Sequence, residues 1–103
     1  MEVNMYILID LLRKVRNRLI GEISTEQLIK LGLQVGENFK REREVVIDYS
    51  HCWLIKIGNN VTLARRVHIL AHDASTKSFL GYTKIGNVII GDNVFIGAGS
   101  IVL

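Results

Sequence analysis

The chain has 103 residues, 49% hydrophobic and 22% charged, a composition that fits one folded domain and excludes wholesale disorder. Its net charge of +3, from 13 Lys and Arg against 10 Asp and Glu, is too mild to argue for nucleic acid and is compatible with an anionic ligand. No apolar run approaches the ~20 residues of a membrane span, and Met1-Glu2 opens neither a basic leader nor a cleavage site, so neither a transmembrane segment nor a signal is expected.

From Val3 to Ile20 the apolar residues Ile7/Leu8, Leu11/Leu12, Val15 and Leu19 recur at the three-four spacing of one helix face. Arg13, Lys14, Arg16 and Arg18 suit its C-terminal half, where the helix dipole favours cations, and Gly21 ends it. Two readings of this basic amphipathic helix stay open: a segment lying on an anionic membrane, or, favoured because the stripe is ordinary, a helix packed on the rest of the fold or on a neighbouring subunit. A second, short helix follows, with Ser24 and Gln27 as a capping box and Gly32 as its stop. These helices make an N-terminal segment over residues 1–34.

After Leu33 the period changes to six. Four units fit the form aliphatic, Gly or Ala, any, any, small or Val, any: they begin at Ile57, Leu63, Ile90 and Ile96. Average composition yields such a match in about one window in a hundred, so two tandem pairs in phase are a strong signal. Within each unit the aliphatic residue and the one two before it point to the same side of a strand. The inward pairs are then Leu33/Val35, Val45/Ile47, Ile55/Ile57, Val61/Leu63, Val67/Ile69, Val88/Ile90 and Val94/Ile96. Between them lie residues that tolerate left-handed backbone, such as Asn59-Asn60, Gly86-Asn87 and Asp92-Asn93. Three strands and three corners make a triangular coil of about 18 residues, and stacked coils make a parallel β-helix over residues 35–103. Ile89, Phe95 and Ile101 occupy outward slots, one on each face, and point to covered surface.

The phase breaks twice. Ile47-Asp48-Tyr49-Ser50-His51-Cys52 is an imperfect unit with four spare residues before Ile57. Its lone Cys52 excludes a disulfide within the chain and fits a reducing cytoplasm. The second break places Asp73 in an inward slot, with the register expected to resume at Lys84 after an excursion over residues 75–83. A loop thrown from a strict solenoid is where function is expected. Counting coils and allowing nine residues for the loop puts Ile47, Ile69 and Ile96 in one column, about 4.8 Å apart per coil. That column gathers Asp48, Ser50 and His51, expected to line the substrate, with His72, Asp73 and the bare backbone of Gly97-Ala98-Gly99. Arg65 and Arg66 read as a solvated corner, and His68 as outward surface beside Phe95.

The stretch Ile90-Gly91-Asp92-Asn93-Val94-Phe95-Ile96-Gly97-Ala98-Gly99-Ser100-Ile101-Val102-Leu103 resembles the signature of hexapeptide-repeat acyltransferases. Ile47 through His72-Asp73 is similar to the sugar and small-molecule O-acetyltransferases of that superfamily, including the maltose and galactoside acetyltransferases. The likeness runs from Val35 onward. It implies a left-handed parallel β-helix and a cytoplasmic homotrimer that uses acetyl-CoA, with active sites between subunits. It further implies His72 as general base on an acceptor hydroxyl, with Asp48 or Asp73 orienting the ring. By the same resemblance Ala98 offers a backbone N–H to the oxyanion, Gly97 to Ser100 line the pantetheine arm, and Phe95 sits beside the site. The acceptor expected is a sugar or a polysaccharide precursor, and no metal is expected.

The chain stops at Leu103, two residues into a fresh unit, where such enzymes continue for several coils along which the CoA nucleotide lies. A truncated chain holding the catalytic corner is therefore expected, and a silent scaffold or assembly segment remains an alternative. So does a zinc protein of the gamma-carbonic-anhydrase type, which would draw on His51, His68 and His72.

Overall fold

A computed structural model describes residues 5–20, 22–74 and 77–103. Gly21, the expected helix stop, and Ser75-Thr76, at the start of the expected excursion, lie outside the described residues. The chain opens with α1 (Met5–Ile20) and α2 (Thr25–Lys30). The capping box forms as its residue types dictate: the Ser24 hydroxyl accepts from the Gln27 N–H, and the Gln27 side chain accepts from the Ser24 N–H. Gly32, at φ +114°, closes α2 in a conformation only glycine adopts freely, and a Cβ there would lie 2.8 Å from the Trp53 Cβ.

Three coils follow. The first contains β1 (Gln34–Val35), β2 (Lys40–Arg41) and β3 (Val46–Ile47). A 3-10 turn over Cys52–Leu54 leads to the second, β4 (Ile55–Ile57), β5 (Thr62–Leu63) and β6 (His68–Ile69). The excursion then carries β7 (His72–Asp73), α3 (Lys77–Leu80) and β8 (Lys84–Ile85), before the third coil of β9 (Val88–Ile90), β10 (Phe95–Ile96) and β11 (Ile101–Val102). Strands of successive coils pair in parallel to give three three-stranded sheets, β1-β4-β9, β2-β5-β10 and β3-β6-β11. The molecule is mainly β, with parallel sheets and an N-terminal helical pair.

Alternation decides the core. Val45, Ile47, Ile55, Ile57, Val61, Leu63, Val67, Ile69, Val88 and Ile90 are all buried, as their inward slots require. Ile89, Phe95 and Ile101 stand outward on the three different sheets and are 64 to 74% exposed. Leu28 of α2 is buried with Cys52 at the end of this core, where the Cys52 thiol faces the Leu28 carbonyl at 3.6 Å. The first coil departs from the pattern at Arg41, which stacks under Leu63 and Ile96 in an inward slot. At that end of the stack it is only partly enclosed, and its guanidinium donates to the Val45 carbonyl at 2.8 Å and lies 3.8 Å from Glu22.

Corners stack as strictly as strands. Between the first and second sheets Asn38, Asn60 and Asn93 all adopt φ of 56 to 58°, and their side-chain amides hydrogen-bond from coil to coil at 3.0 and 3.1 Å. Between the second and third sheets Glu44, Arg66 and Gly99 take the left-handed conformation, with Arg66 bonded to Glu44 at 2.7 Å.

Two expectations need correction. The spacing is 22 residues from first to second coil but 33 from second to third, so Ile96 stacks on Leu63, and Val102 continues the Ile47–Ile69 column. The cause is the excursion, which is longer than nine residues. Lys84-Ile85 belong to its stem, paired antiparallel with His72-Asp73, and the solenoid resumes only at Val88. His68 accordingly stands between Val46 and Ile101 on the third sheet, not beside Phe95, which pairs with Thr62 on the second. The other difference concerns α1. Residues 5–12 and Val15 are all exposed, so the stripe as far as Val15 does not pack on the rest of this chain, and the side chain of Leu19 lies outside the described residues.

Candidate functional site

The third corner, between the third and first sheets, never repeats, because both breaks in the hexad phase fall there. In the first coil it is the run from Asp48 to Leu54; in the second it is the origin of the excursion at Leu70-Ala71-His72. Stacking of Ile47 on Ile69 sets these two segments one above the other.

Asp48 is the pivot. It is 4% exposed, and burial alone would raise its pKa, yet the carboxylate is held below its ordinary value by hydrogen bonds from His72, Ser50 and the Ala71 backbone. Oδ1 accepts from the Ser50 hydroxyl at 2.7 Å and the Ser50 N–H at 3.1 Å. Oδ2 accepts from the Ala71 N–H at 3.1 Å and faces His72 Nδ1 at 2.5 Å. An ionised carboxylate only accepts, so Nδ1 of His72 carries a proton, and in the neutral ring Nε2 is the nitrogen with the lone pair. The His72 side chain is 37% exposed and reaches solvent, in a cleft of about 320 Å³ lined also by Leu70, Ala71, Asp73, Lys84 and Asn87.

His51 completes the group. Its Nδ1 lies 2.9 Å from the Ser50 hydroxyl oxygen and 3.5 Å from Asp48 Oδ2. The Ser50 proton is spent on Asp48, so His51 Nδ1 is the donor to Ser50. The His51 and His72 rings are 5.2 Å apart, and the Trp53 ring is 5.3 Å from that of His51.

Of the residues singled out from the sequence, Asp48, Ser50, His51 and His72 come together. Asp48 is the carboxylate on the His72 ring, while Asp73 pairs with Lys84 across the excursion stem. Phe95 and Gly97 to Ser100 do not join them in one chain: the glycine run turns the corner between second and third sheets, above Arg65, whose carbonyl accepts from Gly99 N–H at 3.0 Å. His68 is likewise not among the clustered ligand atoms, which come from Asp48, His51 and His72. Trp53, beside His51, and Lys84, in the His72 cleft, were not singled out as site residues from the sequence. Trp53 sat among the four spare residues before Ile57, and an aromatic inside an unexplained insertion was the available signal.

The chain is 38% identical to Protein CapG of Staphylococcus aureus over 89 residues, covering 79% of this chain and 50% of that protein. It spans about half the length of that curated relative. No family model matches the chain, and no solved structure matches it significantly.

Proposed function

We propose that the chain carries the catalytic corner of an acyltransferase that moves an acetyl group from acetyl-CoA to a hydroxyl of a sugar or similar small acceptor. The observation that carries this reading is the Asp48–His72 contact of 2.5 Å, with Asp48 fixed from behind by Ser50 and Ala71 and the His72 side chain partly open to solvent. His72 Nε2 takes the proton of the acceptor hydroxyl as that oxygen attacks the thioester carbonyl. The imidazolium so formed is stabilised by ionised Asp48. The tetrahedral intermediate then collapses, the C–S bond breaks, and the proton passes to the departing CoA sulfur.

Oxyanion stabilisation and pantetheine binding by Ala98 and the Gly97–Ser100 backbone, with Phe95 beside them, require a second copy of the chain, because in one copy they turn a different corner from His72. A homotrimer of left-handed parallel β-helices brings the glycine corner of one copy to His72 of the next. Stacked triangular coils and left-handed φ at two corner columns support that fold, and the outward Ile89, Phe95 and Ile101 support the assembly. The test is free-thiol release from acetyl-CoA across a panel of sugars. Release that depends on an acceptor supports acetyl transfer to that hydroxyl; the absence of acceptor-dependent release across acetyl-, propionyl- and succinyl-CoA contradicts acyl transfer.

A further inference from the structure

We propose that Asp48, His51 and His72 bind one divalent transition-metal ion, with Zn2+ and Co2+ as the ions to test, and that the ion takes the place of the His72 Nδ1 proton facing Asp48 while His51 shifts its Nδ1 proton from Ser50 to Nε2. Two imidazoles and one carboxylate form a donor set suited to such ions. One ligand atom from each residue lies within 4.8 Å of the others, all within a single chain. In a tetrahedral zinc site the ligands stand about 3.3 Å apart, given metal bonds of about 2.0–2.1 Å. His51 Nδ1 and Asp48 Oδ2 already stand 3.5 Å apart. The His72–Asp48 contact of 2.5 Å has to open by somewhat under about 1 Å to admit the ion.

The surroundings favour that adjustment. Asp48 is oriented by Ser50 and the Ala71 N–H, the kind of support that presets a metal ligand. His51 and His72 are partly open to solvent, which gives the ion a route in and leaves a coordination position for water. His68 takes no part, so this ligand set differs from a three-histidine one.

Binding to these three side chains stands independently of acetyl transfer; only its consequence, loss of the general base, rests on that reading. The experiment is a titration of chelator-treated protein with Co2+, read by the visible absorption of the bound ion, and with Zn2+, read by calorimetry. One ion per chain is expected, with affinity reduced at least about tenfold in His51→Ala and in His72→Ala, since changes even to residues behind a ligand typically cost 10–100-fold. Circular dichroism of each variant keeps folding separate from binding. No saturable Co2+ spectrum in the wild type, or wild-type affinity in either folded variant, overturns the proposal. Loss of thiol release on adding Zn2+, restored by chelator, is the accompanying expectation for an active enzyme.

Discussion

At the scale of single residues, the Asp48–His72 pair makes two separable predictions. Asp48→Asn replaces an acceptor by an amide able to donate to Nδ1, which favours the wrong tautomer of His72. Turnover should fall by on the order of 10²–10⁴ with the fold retained, as kcat and circular dichroism would show. Asp48 also couples stability to pH. Its pKa is lower in the folded chain than in the unfolded one, so the native state gains stability above the unfolded carboxylate pKa and loses it as pH falls through the lower, folded value. Denaturant melts on the acid side of about pH 4 should therefore show a loss that Asp48→Asn lacks. Asp48, Ser50, His51 and His72 were legible in the sequence because each interrupts a strict period. The choice of Asp48 over Asp73 was not, since it depends on the excursion stem that pairs Asp73 with Lys84, which the period does not reveal.

At the scale of elements, the corners hold the coils in register. Asn60 bonds to Asn38 below and Asn93 above while at φ 56°, so Asn60→Ala loses both side-chain bonds and strains the backbone. A destabilisation of about 1–3 kcal/mol is expected, with Asn60→Gly costing less because glycine keeps the left-handed turn. Gly58 makes a different demand: a Cβ there would lie 2.8 Å from the Gly91 carbonyl oxygen of the next coil. Gly58→Ala should lower the melting temperature, whereas Gly91→Ala, which meets nothing within 4 Å, should not do so comparably. Both belong to the same hexad slot, and sequence alone could not separate them. The aliphatic pairs were legible because burial alternates with period two. The length of the excursion was not, because Lys84-Ile85-Gly86-Asn87 imitates a hexad while its Lys84-Ile85 forms half of a hairpin stem.

At the scale of the whole molecule, apolar surface remains on every face. Ile89, Phe95 and Ile101 are outward, and α1 shows Ile7, Leu8, Leu11, Leu12 and Val15 to solvent instead of packing them on the chain. Isolated helices of about this length are marginal in water, so the exposed Ile7, Leu8, Leu11, Leu12 and Val15 of the 16-residue α1 gain most from a partner. The trimer proposed here gives light-scattering masses near three times 11.6 kDa; a monomer across micromolar concentrations contradicts it. No helix among the described residues is long and apolar enough to cross a membrane. The exposure of this stripe as far as Val15 could not be foreseen, because three-four periodicity states that a face wants burial and not what buries it.

The most direct measurement of the central claim is the rate of acetyl-CoA thiol release, with an accepted sugar present, for the wild type against His72→Ala. General-base catalysis by His72 predicts a loss of on the order of 10²–10⁴ in kcat with acetyl-CoA binding retained. Turnover within about twofold of wild type in a folded variant would contradict it, and the proton would have to leave by another route.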